Sequence, residues 1–148
     1  MRFGKIIVAF SLIMAVGAVA AWAGDFEWLQ SLNIQAQADP SGFKASLGAR
    51  FKIGDAQVSA VLSNVERPAD AYMVLRLGEM SGQPVKVVEE RYRTGRSTGW
   101  GNLAKSLGIK PGSPEFHALK NGHDLHGFGG ESGSGHGKGK KEKKHKNK

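Results

Sequence analysis

The run from Ile6 to Ala23 is apolar apart from Ser11 and Gly17, too greasy to lie on the surface of a small domain. Arg2 and Lys5 precede it. Ala21-Trp22-Ala23 closes it with small residues at the −3 and −1 positions of a cut before Gly24. A basic start, an apolar middle and a small-residue end, in that order, are the parts of a secretory signal peptide. Residues 1–23 are therefore expected to be a removable leader, which makes the remainder a periplasmic or secreted protein. An uncleaved anchor is the competing reading. Eighteen residues sit at the short end of what crosses roughly 30 Å of hydrocarbon, and no basic stop-transfer cluster follows.

What remains has no cysteine. Disulfides, thiolate zinc sites, c-type haem attachment and a lipidated N-terminal cysteine are all excluded, so a folded body must rely on a packed core. The net charge of +8 belongs mostly to the ends. From Gly129 onward seven lysines face only Glu131 and Glu142, whereas Gly24 to Phe128 holds 12 basic and 11 acidic residues. A nearly neutral body with a basic tail does not have the electrostatics of a basic binding domain.

Residues 24–54 begin with an amphipathic stretch, Asp25 to Gln30, and continue in a period of two. Leu32, Ile34, Ala36 and Ala38 alternate with Asn33, Gln35 and Gln37. After Asp39-Pro40-Ser41-Gly42, Phe43, Ala45, Leu47, Ala49 and Phe51 alternate with polar residues and Gly48. Two alternating runs around a Pro-Gly turn predict an antiparallel β-hairpin with one buried face. From Asp55 the period becomes helical. Asp55 is placed to cap a helix bearing Val58, Val61, Leu62 and Val65, and Pro68 and Pro84 open two more. Trp100, Leu103, Ala104 and Leu107 form a further stripe, and Ser113-Pro114 caps a last helix with Phe116 and Leu119. The expected fold is α+β and mainly α: the hairpin packed on four or five short helices spanning 55–126. Residues 127–148 are glycine, serine, lysine and histidine with almost no apolar side chain, a composition that predicts a disordered tail.

The most distinctive segment is Gly99-Trp100-Gly101-Asn102-Leu103-Ala104-Lys105-Ser106-Leu107-Gly108-Ile109-Lys110-Pro111-Gly112-Ser113-Pro114-Glu115-Phe116-His117. Leu103 to Ile109 reads as the first helix and turn of a helix-turn-helix unit, the DNA-reading form of which places its second helix in the major groove. Here that second helix would be short, would start with proline and glutamate, and would offer Lys120 and His117 where phosphate anchoring takes several cations. A packing motif without nucleic acid is the better expectation, and a nucleic-acid-binding protein the alternative. With Pro68 to Tyr72 and Glu89 to Tyr92, the segment resembles a group of small exported bacterial proteins that share a GWGxLAKxLGIKPGSxEFH-type motif. The resemblance spans Asp55 to Leu125 and implies a periplasmic or secreted location, with no activity attached. Trp100, flanked by Gly95, Gly99 and Gly101, is expected to anchor the core, with an aromatic ligand platform as the alternative. Tyr72 and Tyr92 are expected in the core with their hydroxyls at its edge.

No nucleophile stands beside a base in a recognisable pattern. Ser113, Glu115 and His117 are near one another, but Ser113 serves better as a helix cap. Glu89 and Glu90 point about 100° apart on a helix and are expected to pair with Arg93 or Lys86. No enzyme and no cofactor is expected. His117, His123 and His126, with Asp124, are weak candidates for a transition-metal site because their spacing matches no closed zinc pattern. A weakly metal-binding envelope protein is thus a third reading. The tail lysines Lys138, Lys140, Lys141, Lys143, Lys144, Lys146 and Lys148 would draw the chain to an anionic envelope surface, or else act only as a solvated extension. An envelope surface or another envelope protein is the expected partner.

Overall fold

The computed structural model describes residues 26–128, and both the leader and the lysine tail lie outside the described residues. Seven α-helices and one 3-10 turn account for the secondary structure there: α1 (Trp28–Ala38), α2 (Pro40–Phe51), α3 (Asp55–Asn64), α4 (Pro68–Ser81), α5 (Val85–Gly95), the turn Arg96–Thr98, α6 (Trp100–Ser106) and α7 (Pro114–Asn121). None of these helices is long and apolar enough to cross a membrane.

The hairpin expected across residues 32–51 is not formed: both of its arms are helices, and no strand occurs among the described residues. The burial pattern shows why. On α1 the side chains turned inward are Leu29, Leu32, Asn33 and Ala36, spaced by three and four, while Ile34 is 64 % exposed. On α2 they are Phe43 and Leu47, and Ala45 and Ala49 face out. The alternation came from counting alanine as apolar, and alanine suits a helix surface best of all residues. The supposed turn is a helix start. Asp39 accepts a hydrogen bond from the Gly42 amide at 2.9 Å, and Pro40 occupies the first helical position, where its missing N–H costs nothing.

After Asp55 the helices fall where the periodicity places them, with three local differences. Gly54, not Asp55, is the N-cap of α3, and Gln57 reaches back to accept from the Gly54 amide at 3.2 Å. Seven residues separate α6 from α7, against the three or four of a helix-turn-helix. The folded body also runs past residue 126. Leu125 and Phe128 are buried, and Phe128 meets Phe43 edge-on with ring centroids 5.5 Å apart.

Helix α4 is the axis of the domain. It packs against α1, α3 and α5 and is buried on all sides from Ala69 to Leu75, which a helix achieves only when others surround it. Gly78 lets α5 approach: a Cβ there would stand 3.3 Å from the Gln83 carbonyl and 3.8 Å from Val85 and Val88. Gly82, with φ of 66°, then ends α4 in the left-handed conformation glycine tolerates best. One core joins all of it, from Leu29 and Leu32 through Tyr72 and Leu77 to Phe116 and Phe128.

Candidate functional site

Two clusters of polar side chains are built into this core. The first gathers around the C-terminal segment that follows α7. Arg50 of α2 grips Glu79 of α4 with two guanidinium hydrogen bonds, 3.1 and 3.0 Å, and its Nε lies 2.7 Å from Asp124 Oδ2. Arg76, one turn before Glu79, bonds the same carboxylate at 2.5 Å. Tyr72 donates its hydroxyl to Asp124 Oδ1 at 2.9 Å and accepts from the Asp124 amide at 3.4 Å. Two arginines facing two carboxylates close the local charge balance. Trp28 of α1 donates its indole N–H to the Lys120 carbonyl at 3.0 Å, and Ser46 donates to the His126 carbonyl at 3.1 Å. The segment is thereby strapped across α1, α2 and α4.

Electrostatics in this cluster favour the states observed. Hydrogen bonding to Glu79 and Asp124 outweighs burial and holds the Arg50 proton still more tightly than usual. Burial, then the neighbouring Asp124 charge, pushes the Tyr72 hydroxyl above its ordinary range. A phenol so held is a poor general base at neutral pH. The Glu79 carboxyl is lowered, chiefly by Arg50. Burial would raise Asp124, but hydrogen bonds from Arg50 and Tyr72 prevail and lower it. This cluster is a fastening.

The weak metal candidates do not converge. His123 is half-buried, with its ring 5.7 Å from that of Trp28 and 6.1 Å from that of Tyr72. His117 and His126 are exposed, Asp124 is engaged by Arg50 and Tyr72, and no group of three potential ligands forms among the described residues. Ser113 caps α7, accepting from the Phe116 amide at 3.2 Å. Glu90 lies 3.7 Å from Arg93, and Glu89 accepts from Asn64 at 3.3 Å.

The strap should loosen in acid in two stages. Burial lowers the His123 pKa, so the neutral ring is favoured in the fold. Its contribution is complete above the ordinary histidine value of about 6.5 and fades as the pH falls through the depressed folded value. Glu79 and Asp124 contribute above the ordinary carboxylate range, and that contribution is lost as the pH drops toward their own lowered values. Urea midpoints measured from pH 7 to pH 3 should fall in both windows, and His123→Gln should abolish only the upper one. A flat profile above the carboxylate range in the unmodified protein would contradict this account.

The second cluster sits at the other end of α4. Asp70 lies in the first turn of α4 with its side chain only 3 % exposed. Its Oδ2 accepts from the Tyr92 hydroxyl at 2.8 Å and stands 3.7 Å from Arg67 Nε, while its Oδ1 has no hydrogen-bond partner. Burial, then the Asp70 hydrogen bond, raises the Tyr92 hydroxyl pKa, so it stays a donor. Trp100 lies nearly parallel to Tyr92, with centroids 5.4 Å apart and planes 20° from coplanar. It is half-buried and lines a cleft of about 510 Å³ along with Phe26, Arg67 and Gly99. A smaller chamber of about 90 Å³, bounded by Asp70, Tyr92 and Leu103, shares Arg67, Gly99 and Trp100 with that cleft. Tyr72 and Tyr92 are both buried, with hydroxyls spent on Asp124 and Asp70.

Sequence reasoning passed over Asp70. An acidic residue just after a helix-opening proline reads as a favourable partner for the helix dipole. The signal that could have marked it is its company: Asp70 is the one charged residue between Pro68 and Leu75, in a run of otherwise apolar residues that is buried throughout from Ala69 to Leu75. No protein-family model, curated protein or solved structure matches this chain.

Proposed function

We propose that this is an exported, non-catalytic envelope protein: a helical body held at anionic surfaces by its lysine tail. The partition of charge carries the reading, with a body of 12 basic and 11 acidic residues followed by seven lysines against two glutamates. The leader pattern at residues 1–23 and the resemblance of the Gly99 to His117 segment to small exported proteins support the location. The body supports the division of labour, because its arginines Arg50 and Arg76 are engaged with Glu79 and Asp124. The tail is left as the concentrated source of positive charge.

The test compares the natural protein with a variant in which all seven tail lysines are glutamine, on vesicles with and without anionic lipid. Each lysine near an anionic surface contributes about 1 kcal/mol, so engagement of even three is worth roughly a hundredfold in affinity. High salt should erase the difference, since screening shortens the reach of these charges to about 3 Å at 1 M. Equal binding of both proteins at low salt would remove the tail from the function. An intact N-terminus in protein recovered from the cytosol would remove the export.

A further inference from the structure

Glu27 and Arg67 carry opposite charges on the walls of one cleft, and among the described residues they form no ion pair with each other. The cleft, of about 510 Å³, lies where the start of α1 meets the turn into α6, and Phe26, Leu29 and Trp100 supply its apolar surface. A space of that size holds a small molecule. The Arg67 side chain is 63 % exposed, and its carboxylate neighbour Asp70 stands 3.7 Å from Nε. That leaves the two Nη groups as an end-on fork, whose N–H donors match the two oxygens of a carboxylate. Glu27 is exposed, and among the described residues its carboxylate has no ionic partner. Tyr92 backs the Trp100 indole at 5.4 Å and nearly parallel, so the core holds the ring where it borders the cleft. Phe26 has a φ of 73°, a left-handed conformation that a bulky residue rarely adopts. Backbone held in that way concentrates at ligand-binding sites.

We propose that this cleft binds a free α-amino acid with an apolar side chain: Arg67 grips its carboxylate, Glu27 its ammonium group, and Phe26 and Trp100 its side chain. The charge pattern makes the selection. The described lining residues include one cation and one anion, and a zwitterion satisfies both at once. A plain carboxylate would meet Glu27 as a repulsive neighbour, and a plain amine would meet Arg67 in the same way, so each is disfavoured by a group that the amino acid uses. Each end forms a charge-assisted hydrogen bond, about twice as strong as a neutral one. The rings cover the apolar side chain and remove it from water. The site belongs to the helical body and is independent of the lysine tail.

The test titrates ¹⁵N-labelled protein, purified as its cells make it, with four probes. Two are L-phenylalanine and L-leucine. The others are 3-phenylpropionate, which lacks the ammonium group, and phenethylammonium, which lacks the carboxylate. The readouts are the Trp100 indole resonance and the Gly99 and Gly101 amides. Saturable shifts are expected with both amino acids, and binding at least about tenfold weaker with each single-charge analogue. Arg67→Gln should weaken phenylalanine at least about tenfold and leave phenethylammonium no weaker than before. Glu27→Gln should weaken phenylalanine likewise and leave 3-phenylpropionate no weaker. Both side chains are exposed, where substitutions change stability little. Absence of saturable shifts with both amino acids, analogues that bind as tightly as phenylalanine, or variants that weaken every ligand alike would each overturn the site. The natural protein alone decides the first two, so the proposal stays testable if a variant does not fold.

Discussion

Replacing Tyr72 by alanine should remove about 3–5 kcal/mol of stability, the range for truncating a large buried aromatic side chain. Tyr72 is 1 % exposed, and its ring is flanked by those of Trp28 at 5.6 Å, Phe51 at 5.7 Å and His123 at 6.1 Å. Each belongs to a different part of the chain, so the cavity opens where α1, α2, α4 and the strap meet. The neighbours are held by their own bonds, Trp28 to the Lys120 carbonyl for one, and cannot collapse freely into the gap. For a domain whose total stability falls in the usual range of about 5–15 kcal/mol, this is at least about a fifth of the total. The urea midpoint should drop sharply with the slope little changed. Tyr72→Phe isolates the hydroxyl, which bonds Asp124 in both directions, and should cost about 1–3 kcal/mol. A phenylalanine protein as unstable as the alanine one would mean that the hydroxyl, not the ring, holds the junction.

Phe43→Ala should cost a similar 3–5 kcal/mol, through a different contact. Phe43 is 1 % exposed on α2 and meets Phe128 edge-to-face. Since edge-on pairs contribute about 0.5–1.5 kcal/mol beyond area burial, a double-mutant cycle with Phe128→Ala should show coupling of that size. Strict additivity would detach Phe128 from the core and return the end of the body to residue 126. The cycle therefore locates the junction between folded body and tail, which matters for how far the lysines reach from the domain.

The first two helices show how a correct count yields a wrong element. Alternation at Leu32, Ile34, Ala36 and Ala38 is real, but two of the four are alanines, which a helix accepts on any face. Ile34 is the one β-branched residue between Trp28 and Phe51, a poor endowment for a hairpin. Asn33 would point to solvent in a strand. In the helix it is buried, and its Oδ1 accepts from the Ala69 amide at 2.8 Å, satisfying one of the free donors at the start of α4. Asp39-Pro40 carried two meanings, turn or helix start, and the local letters did not choose between them.

The candidate site divides along the same line. Trp100 and its glycines stood out in the chain, and the two tyrosines were placed in the core, because large rings and flanking glycines have consequences visible at short range. Asp70 and Arg50 did not stand out. Their meaning depends on what lies 22, 29 or 74 residues away: Tyr92 for one, Glu79 and Asp124 for the other.

What the chain by itself determined are the helices after Asp55 and their ends, since caps, prolines and i to i+4 stripes act over one turn. Ser113, Pro68 and Gly82 exert their effect wherever the rest of the chain lies. For residues 28–51 the local letters allowed either reading, and tertiary packing decided for helix, with Leu29, Leu32, Phe43 and Leu47 buried together in the core. It alone also left Asp70 Oδ1 without a partner, for burial and pairing are properties of the assembled core and no stretch of seven residues contains them.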